Sequence, residues 1–218
     1  PGQGSQSRGM GKNLFPKYPE LVKIADDILG YSIETLCVED PENNLGNTRY
    51  TQPALFVVNA LSYLETIREH MEKPAYVAGH SLGEWLAGYS SELAEANSVK
   101  DLIDVLNPTT FELKDSKFIA IGTGLKEITP LIAKIPNIYV SNDNCPHQII
   151  LCGSNNALEE LVPQLKAKQI FHQILPFQSG FHSPFVADKL DLILAGMEKV
   201  QFQQTKIPLW SATTLMPY

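Results

Sequence analysis

Gly79-His80-Ser81-Leu82-Gly83 constrains this chain more than any other stretch. It fits G-x-S-x-G, with short, apolar, β-prone Ala75–Ala78 before it and a predicted helix from Glu84 to Leu93 after it. That strand–turn–helix setting is what a nucleophile elbow requires. So sharp a turn leaves no room for flanking side chains, hence Gly79 and Gly83. It lifts the serine onto a helix N-terminus, where peptide N–H groups and the helix dipole favour a developing oxyanion. Five residues of this form also fit a plain glycine-bounded βα turn. The strand before and the helix after are what select the elbow.

With 218 residues, 44% of them hydrophobic, the chain can bury one large core, or one core with a small appended subdomain. No apolar run approaches the ~20 residues of a membrane span. Net charge is −7 and only Arg8, Arg49 and Arg68 are arginines, so no basic stripe exists to neutralise nucleic-acid phosphates. Cys37, Cys145 and Cys152 form neither a C-x-x-C pair nor an even framework, which suits a reducing cytoplasm.

Pro1–Gly11 reads as a glycine-rich loop. Helix is predicted over Pro19–Leu29, with Leu21, Ile24, Ala25 and Ile28 on its inner face and Gly30 as its stop. A second helix is predicted over Pro53–Glu69. Ser98-x-x-Asp101 looks like a helix cap leading to Leu106. From Phe118 the rhythm changes. Strands at 118–121, 138–141, 148–152 and 170–175 alternate with helices at 126–134 and 157–168, the β-α-β-β-α-β order of a ferredoxin-like unit. Pro163 sits inside the second of those helices and weakens it. The chain is therefore expected to be α/β: an α/β-hydrolase-like core with a parallel sheet, formed by residues 1–115 and 177–218, and an inserted ferredoxin-like subdomain over 116–176. Ser183 then caps a helix beginning at Pro184 and running to about Val200, with Val186, Leu190, Ile193 and Met197 inward. Leu209–Ala212 reads as one more strand.

A serine nucleophile needs a base, and there are five histidines. His70 follows a charged helical stretch, and His172 lies in a strand. His80 is tied to the elbow and points away from Ser81, so it lines the site rather than serving as base. His147 sits in a polar hairpin loop. His182 precedes a helix N-terminus in a loop at the end of a strand, where α/β sites form. The positive helix end favours neutral imidazole, the proton-accepting form, so His182 is the favoured base over His147. Three readings of the Pro1–Gln6 loop stand: a phosphate cradle, an N–H donor to an oxyanion, or a flexible loop. It lacks the lysine of a P-loop. Gln52 is either a residue ahead of a helix or a site residue. Carboxylates and histidines do not cluster at metal-ligand spacing.

Together these residues resemble the acyl-CoA:acyl-carrier-protein transacylase family, which includes malonyl transacylases and polyketide synthase acyltransferase domains. The similarity rests on PGQGSQ (Pro1–Gln6), TQPALF (Thr51–Phe56), GHSLGE (Gly79–Glu84), Asn144-x-Pro146-x-Gln148 followed by Gly153, and GFHSP (Gly180–Pro184). The resemblance implies Ser81 as acylated nucleophile and His182 as its base. It implies the backbone N–H groups of Gln3 and Leu82 as oxyanion donors, and Gln52, His80 and Phe181 as substrate-binding residues. It also implies no bound cofactor, acyl-CoA as donor, phosphopantetheine as acceptor, and an acyl carrier protein as partner, with other synthase domains in some members. It implies a strand before Pro1 and a histidine-orienting carbonyl after Tyr218, so the core is expected to be trimmed at both ends.

One departure concerns specificity. Malonyl-type members carry an arginine about 25 residues after the serine that forks onto the substrate carboxylate. Here that stretch is Asp104–Pro108, and no arginine follows Arg68. Arg49 and Lys100 are the substitutes to test. Phe181 resembles malonyl-preferring members, where bulk disfavours an α-methyl. Three functions fit the residues: an acyltransferase working by a ping-pong route, an acyl-thioester hydrolase on the same site, and a non-catalytic docking module. Intact Ser81 and His182 oppose the last.

Overall fold

The computed structural model describes residues 1–91, 115–178 and 180–218. The predicted cap at Ser98, the helix after it and Lys100 lie outside them. The chain divides into two compact units, Pro1–Thr109 with Leu192–Tyr218, and Thr110–Asp191. The second holds the 116–176 segment and continues to Asp191, past the end expected from the sequence.

The first unit is built on α1 (Pro19–Leu29), α2 (Ile33–Val38), α3 (Thr48–His70), β1 (Val77–Ala78), α4 (Gly83–Ser90) and β6 (Leu209–Trp210). Gly30 ends α1 in the left-handed conformation at φ 76°, donating its N–H to Asp26 O. The buried face of α1 is Val22, Ala25 and Leu29, while Leu21 and Ile24 are exposed. Of the inner face read from the sequence, Ala25 is buried and Ile28 packs against the core, while Leu21 and Ile24 face outward, because Leu21-Val22 and Ile24-Ala25 each offer the same period in two phases.

Helix α3 starts at Thr48 instead of Pro53. Asn47 Oδ1 accepts the Arg49 N–H at 3.0 Å, and the buried Thr51 hydroxyl donates to Leu45 O at 2.6 Å. These bonds close the first turn ahead of the proline. Ala54, Leu55, Phe56, Val57 and Leu61 then pack with Phe15, Ile33 and Leu36 into one apolar core. Each fully buried side chain of that size contributes roughly 1.5–3 kcal/mol. At the foot of this core Glu65 is buried. It pairs with Lys17, accepts from Tyr18 Oη at 2.9 Å, and takes a fork from Arg68 at 2.7 and 3.0 Å. Strands β1 and β6 pair in parallel, Val77 with Leu209 and Ala78 with Trp210.

The second unit runs β2 (Ser116–Ile121), α5 (Leu125–Ile132), β3 (Ile138–Cys145), β4 (Gln148–Ser154), α6 (Asn155–Ala167) and β5 (His172–Gln178). Its antiparallel sheet has the spatial order β3-β4-β2-β5. Helix α6 continues through Pro163. Ser154 Oγ caps it by accepting from Ala157 N–H at 3.2 Å, and Leu158, Leu161 and Leu165 are buried on its inner face. One sheet face, with Ile119, Ile121, Val140, Ile149 and Leu151, packs on the two helices. Alternation sends Tyr139 and Cys152, paired across β3 and β4, to the opposite face. A 3₁₀ turn over Pro184–Lys189 precedes α7 (Leu190–Met197). Of the inward stripe predicted there, Leu190 is exposed and Val186 and Met197 are half-buried, while the side chain of Ile193 lies outside the described ones.

Candidate active site

Short-range sterics build the turn at Ser81. Gly83 N–H donates to His80 O at 2.9 Å, and Glu84 N–H donates to Ser81 O at 2.9 Å. Ser81 is left-handed, with φ 55°, a region that non-glycine residues seldom occupy. A Cβ on Gly79 would lie 2.1 Å from the carbonyl carbon and oxygen of Gly83 and 2.2 Å from Glu84 N. Only glycine lets a helix start this close to the strand. Gly83 is less strict, since its Cβ would meet Pro1 O at 3.0 Å. The helix that follows is tied to the β6 end of the unit: Glu84 Oε1 accepts the Ala212 N–H at 2.8 Å.

The Pro1–Gln3 loop lies against this turn. A Cβ on Gly2 would stand 2.5 Å from His80 O and 3.4 Å from Ser81 Cβ. Gln3 Nε2 donates to Thr48 Oγ1 at 2.8 Å. Thr48 opens α3, and the buried Gln52 follows one turn later on the same helix face. Gln52 therefore sits within a helix, not ahead of one. The tie through Thr48 was not anticipated, because a threonine one residue after a helix cap carries no sequence signal of its own. Leu82 is 7% exposed. Among the described residues no acceptor takes its backbone N–H or that of Gln3. A backbone N–H left open beside a serine on such a turn is suited to receive a substrate oxygen. His80 is exposed at the elbow.

Phe181 and His182 belong to the second unit. His182 is exposed and left-handed, with φ 57°. Around it, Ser183 Oγ donates to Gly180 O at 2.6 Å and accepts the Phe185 N–H at 3.3 Å, capping the 3₁₀ turn. Ser141 Oγ donates to Phe181 O at 3.4 Å. The rings of Tyr139 and Phe185 meet edge to face, centroids 5.5 Å apart at 82°. Burial pushes the Cys152 thiol up in pKa, and its hydrogen bond with Ser183 opposes that shift. The sheet face that does not pack on helices is thus where the histidine loop rests.

The other histidines lie elsewhere. His147 is in the β3–β4 turn and exposed, His172 Nδ1 is 2.9 Å from Ile170 O, and His70 is in the last turn of α3. Arg49 is exposed, its guanidinium 5.6 Å from the centre of the Tyr50 ring. Among the described residues no group of His, Cys, Asp or Glu is placed to hold a metal ion, and no helix is long and apolar enough to cross a membrane.

A serine presented on a strained strand-to-helix turn, on a mixed α/β fold with a parallel and an antiparallel sheet among the described residues, fits the class of enzymes that work through a serine nucleophile. Within it this chain belongs to the acyl transferase domain family, whose model matches residues 1–218, and it is an acyltransferase. It is 34% identical over 223 residues to the polyketide biosynthesis malonyl CoA-acyl carrier protein transacylase PksC of Bacillus subtilis (strain 168), covering all of this chain and 77% of that protein. It is 28% identical over 214 residues to the malonyl CoA-acyl carrier protein transacylase of Synechocystis sp., covering 97% of this chain and 72% of that one. The crystal structure of malonyl CoA-acyl carrier protein transacylase from Burkholderia pseudomallei superposes with a TM-score of 0.93 at 32% identity, covering 100% of this chain and 76% of that chain.

Proposed function

We propose that this domain moves a malonyl-type acyl group from CoA to the phosphopantetheine thiol of an acyl carrier protein, in fatty acid or polyketide synthesis. The observation that carries the reading is the turn at Ser81, a non-glycine residue at φ 55° with an open Leu82 N–H beside it. In this reading His182 takes the Ser81 hydroxyl proton as Oγ attacks the thioester carbonyl. The tetrahedral oxyanion rests on the Gln3 and Leu82 N–H groups. The C–S bond breaks, and the proton passes from His182 to the departing CoA thiolate. The carrier thiol then repeats the sequence on the serine ester, giving its proton to His182 and returning one to Ser81. A positioned base is worth on the order of 10²–10⁴ in rate, and one oxyanion donor about 10²–10³. Gln52, His80 and Phe181 serve as substrate-binding residues, Phe181 excluding α-branched groups by bulk. No bound cofactor is needed, since both thiols arrive with their substrates.

The first unit is an α/β-hydrolase-like core, and the second a ferredoxin-like subdomain inserted into it, as its β-α-β-β-α-β order supports. The partner is a carrier protein, free or tethered beside other synthase domains, and the setting is the cytoplasm.

The absence of any arginine after Arg68 favours a second reading, an acyl-thioester hydrolase, because the carboxylate fork of malonyl-type members is missing. One experiment separates the two. With malonyl-CoA alone, CoA release is expected to stop at about one equivalent per protein. Adding holo carrier protein then restarts it, with malonyl appearing on the carrier. Steady CoA release with free malonate and no carrier would overturn the transferase reading. In competition with acetyl-CoA, the malonyl preference should be weak without a fork. A strong preference would point to another cation, Arg49 first.

A further inference from the structure

Ser141 is the residue that β3 has in excess over β4. The ladder pairs Val140 with Leu151 and then Asn142 with Ile150, so Ser141 forms a bulge. A bulge bends its strand and re-aims a side chain, and bulges recur beside active sites. Here the Ser141 hydroxyl faces two oxygens with one proton to give, Asn142 Oδ1 at 2.9 Å and the Phe181 carbonyl at 3.4 Å. A carboxamide turned over presents nitrogen in place of oxygen. With nitrogen toward Ser141, Asn142 donates to the hydroxyl and the hydroxyl proton goes to Phe181.

That carbonyl belongs to the peptide plane joining Phe181 to His182. The orientation of this plane sets φ at His182, which is 57°. A β-carbon is crowded in the left-handed region, so the surroundings must hold a histidine there. Downstream, Ser183 and the Tyr139–Phe185 contact hold the loop. Upstream, the Ser141 bond holds it.

We propose that Ser141 is a positioning residue for His182: its hydroxyl fixes the Phe181–His182 peptide plane and so the direction in which the imidazole leaves the backbone. The proposal rests on the reading of His182 as the base of Ser81.

The test is single-turnover acylation of Ser81 by malonyl-CoA, followed by quenched intact mass. It compares wild type, Ser141→Ala, His182→Ala and the double variant. Ser141→Ala is expected to slow acylation about five- to tenfold, the scale of one net hydrogen bond. In the His182→Ala background the same change is expected to have no effect, because there is no imidazole left to aim. The near-isosteric pair Ser141→Thr and Ser141→Val isolates the hydroxyl if the alanine variant does not fold. Threonine should keep the rate within about twofold and valine should lose it. Equal losses in both backgrounds, or a valine variant as fast as threonine, would overturn the positioning role. His182→Ala at the wild-type rate would overturn the base reading itself. A large loss in His182→Ala with none in Ser141→Ala would overturn the positioning role alone.

Discussion

Ser81 and His182 share an unusual backbone, left-handed at φ 55° and 57°, and are held there by opposite means. Ser81 is held by its immediate neighbours. Gly79 has no Cβ to strike Gly83, and two hydrogen bonds spanning three residues each close the turn. His182 has Ser183 beside it, but its loop also rests on Tyr139, Ser141 and Cys152, some thirty to forty residues earlier, on two strands of a sheet. Local sterics need only the right five residues. A loop held by a sheet needs the whole unit folded first. Damage to the elbow should therefore be all-or-none, and damage to the histidine loop graded.

The largest expected effect is that of Gly79→Ala. A methyl 2.1 Å from backbone atoms cannot be absorbed by a side-chain shift, so the elbow must open. Acylation of Ser81 should vanish and thermal stability fall. A variant that folds and acylates normally would break the claim that local sterics hold Ser81. Next is His182→Ala, expected to slow acylation by on the order of 10²–10⁴ with only a small change in the thermal midpoint, since the residue is exposed. If His147→Ala shows that loss instead, the base is misassigned. Smaller again is Tyr139→Leu. It removes the edge-to-face contact with Phe185 and should cost about 1 kcal/mol in chemical denaturation.

The difference also explains what could be read in advance. GHSLG was legible because its constraint is local: spacing and glycines state it outright. So was the β-α-β-β-α-β order, since its strands are short apolar runs between helical periods. The tie from Gln3 to Thr48 and the bulge at Ser141 were not legible. A serine in a strand looks the same whether or not the ladder slips by one residue there. The start of α3 was missed for a related reason. Pro53 is a familiar first-turn residue, but Asn47 and Thr51 close the first turn before it.

A pH effect sharpens the contrast between the units. The Arg68 guanidinium first, and Lys17 next, hold the Glu65 carboxyl down to about 2 from an ordinary 4.5. A depressed carboxylate stabilises the fold above its unfolded pKa, and that contribution is lost as pH falls through the folded value. The first unit should therefore lose stability between about pH 4.5 and 2. Glu65→Gln is expected to flatten that part of the stability-against-pH curve. An unchanged slope would remove Glu65 from the account.

The central claim is that Ser81 carries the acyl group, and peptide mapping after brief exposure to malonyl-CoA tests it most directly. The account predicts one malonyl ester, on the peptide holding Gly79–Gly83, absent in Ser81→Ala and discharged by holo carrier protein. An adduct that persists in Ser81→Ala, or that maps to the exposed Cys145, would contradict it.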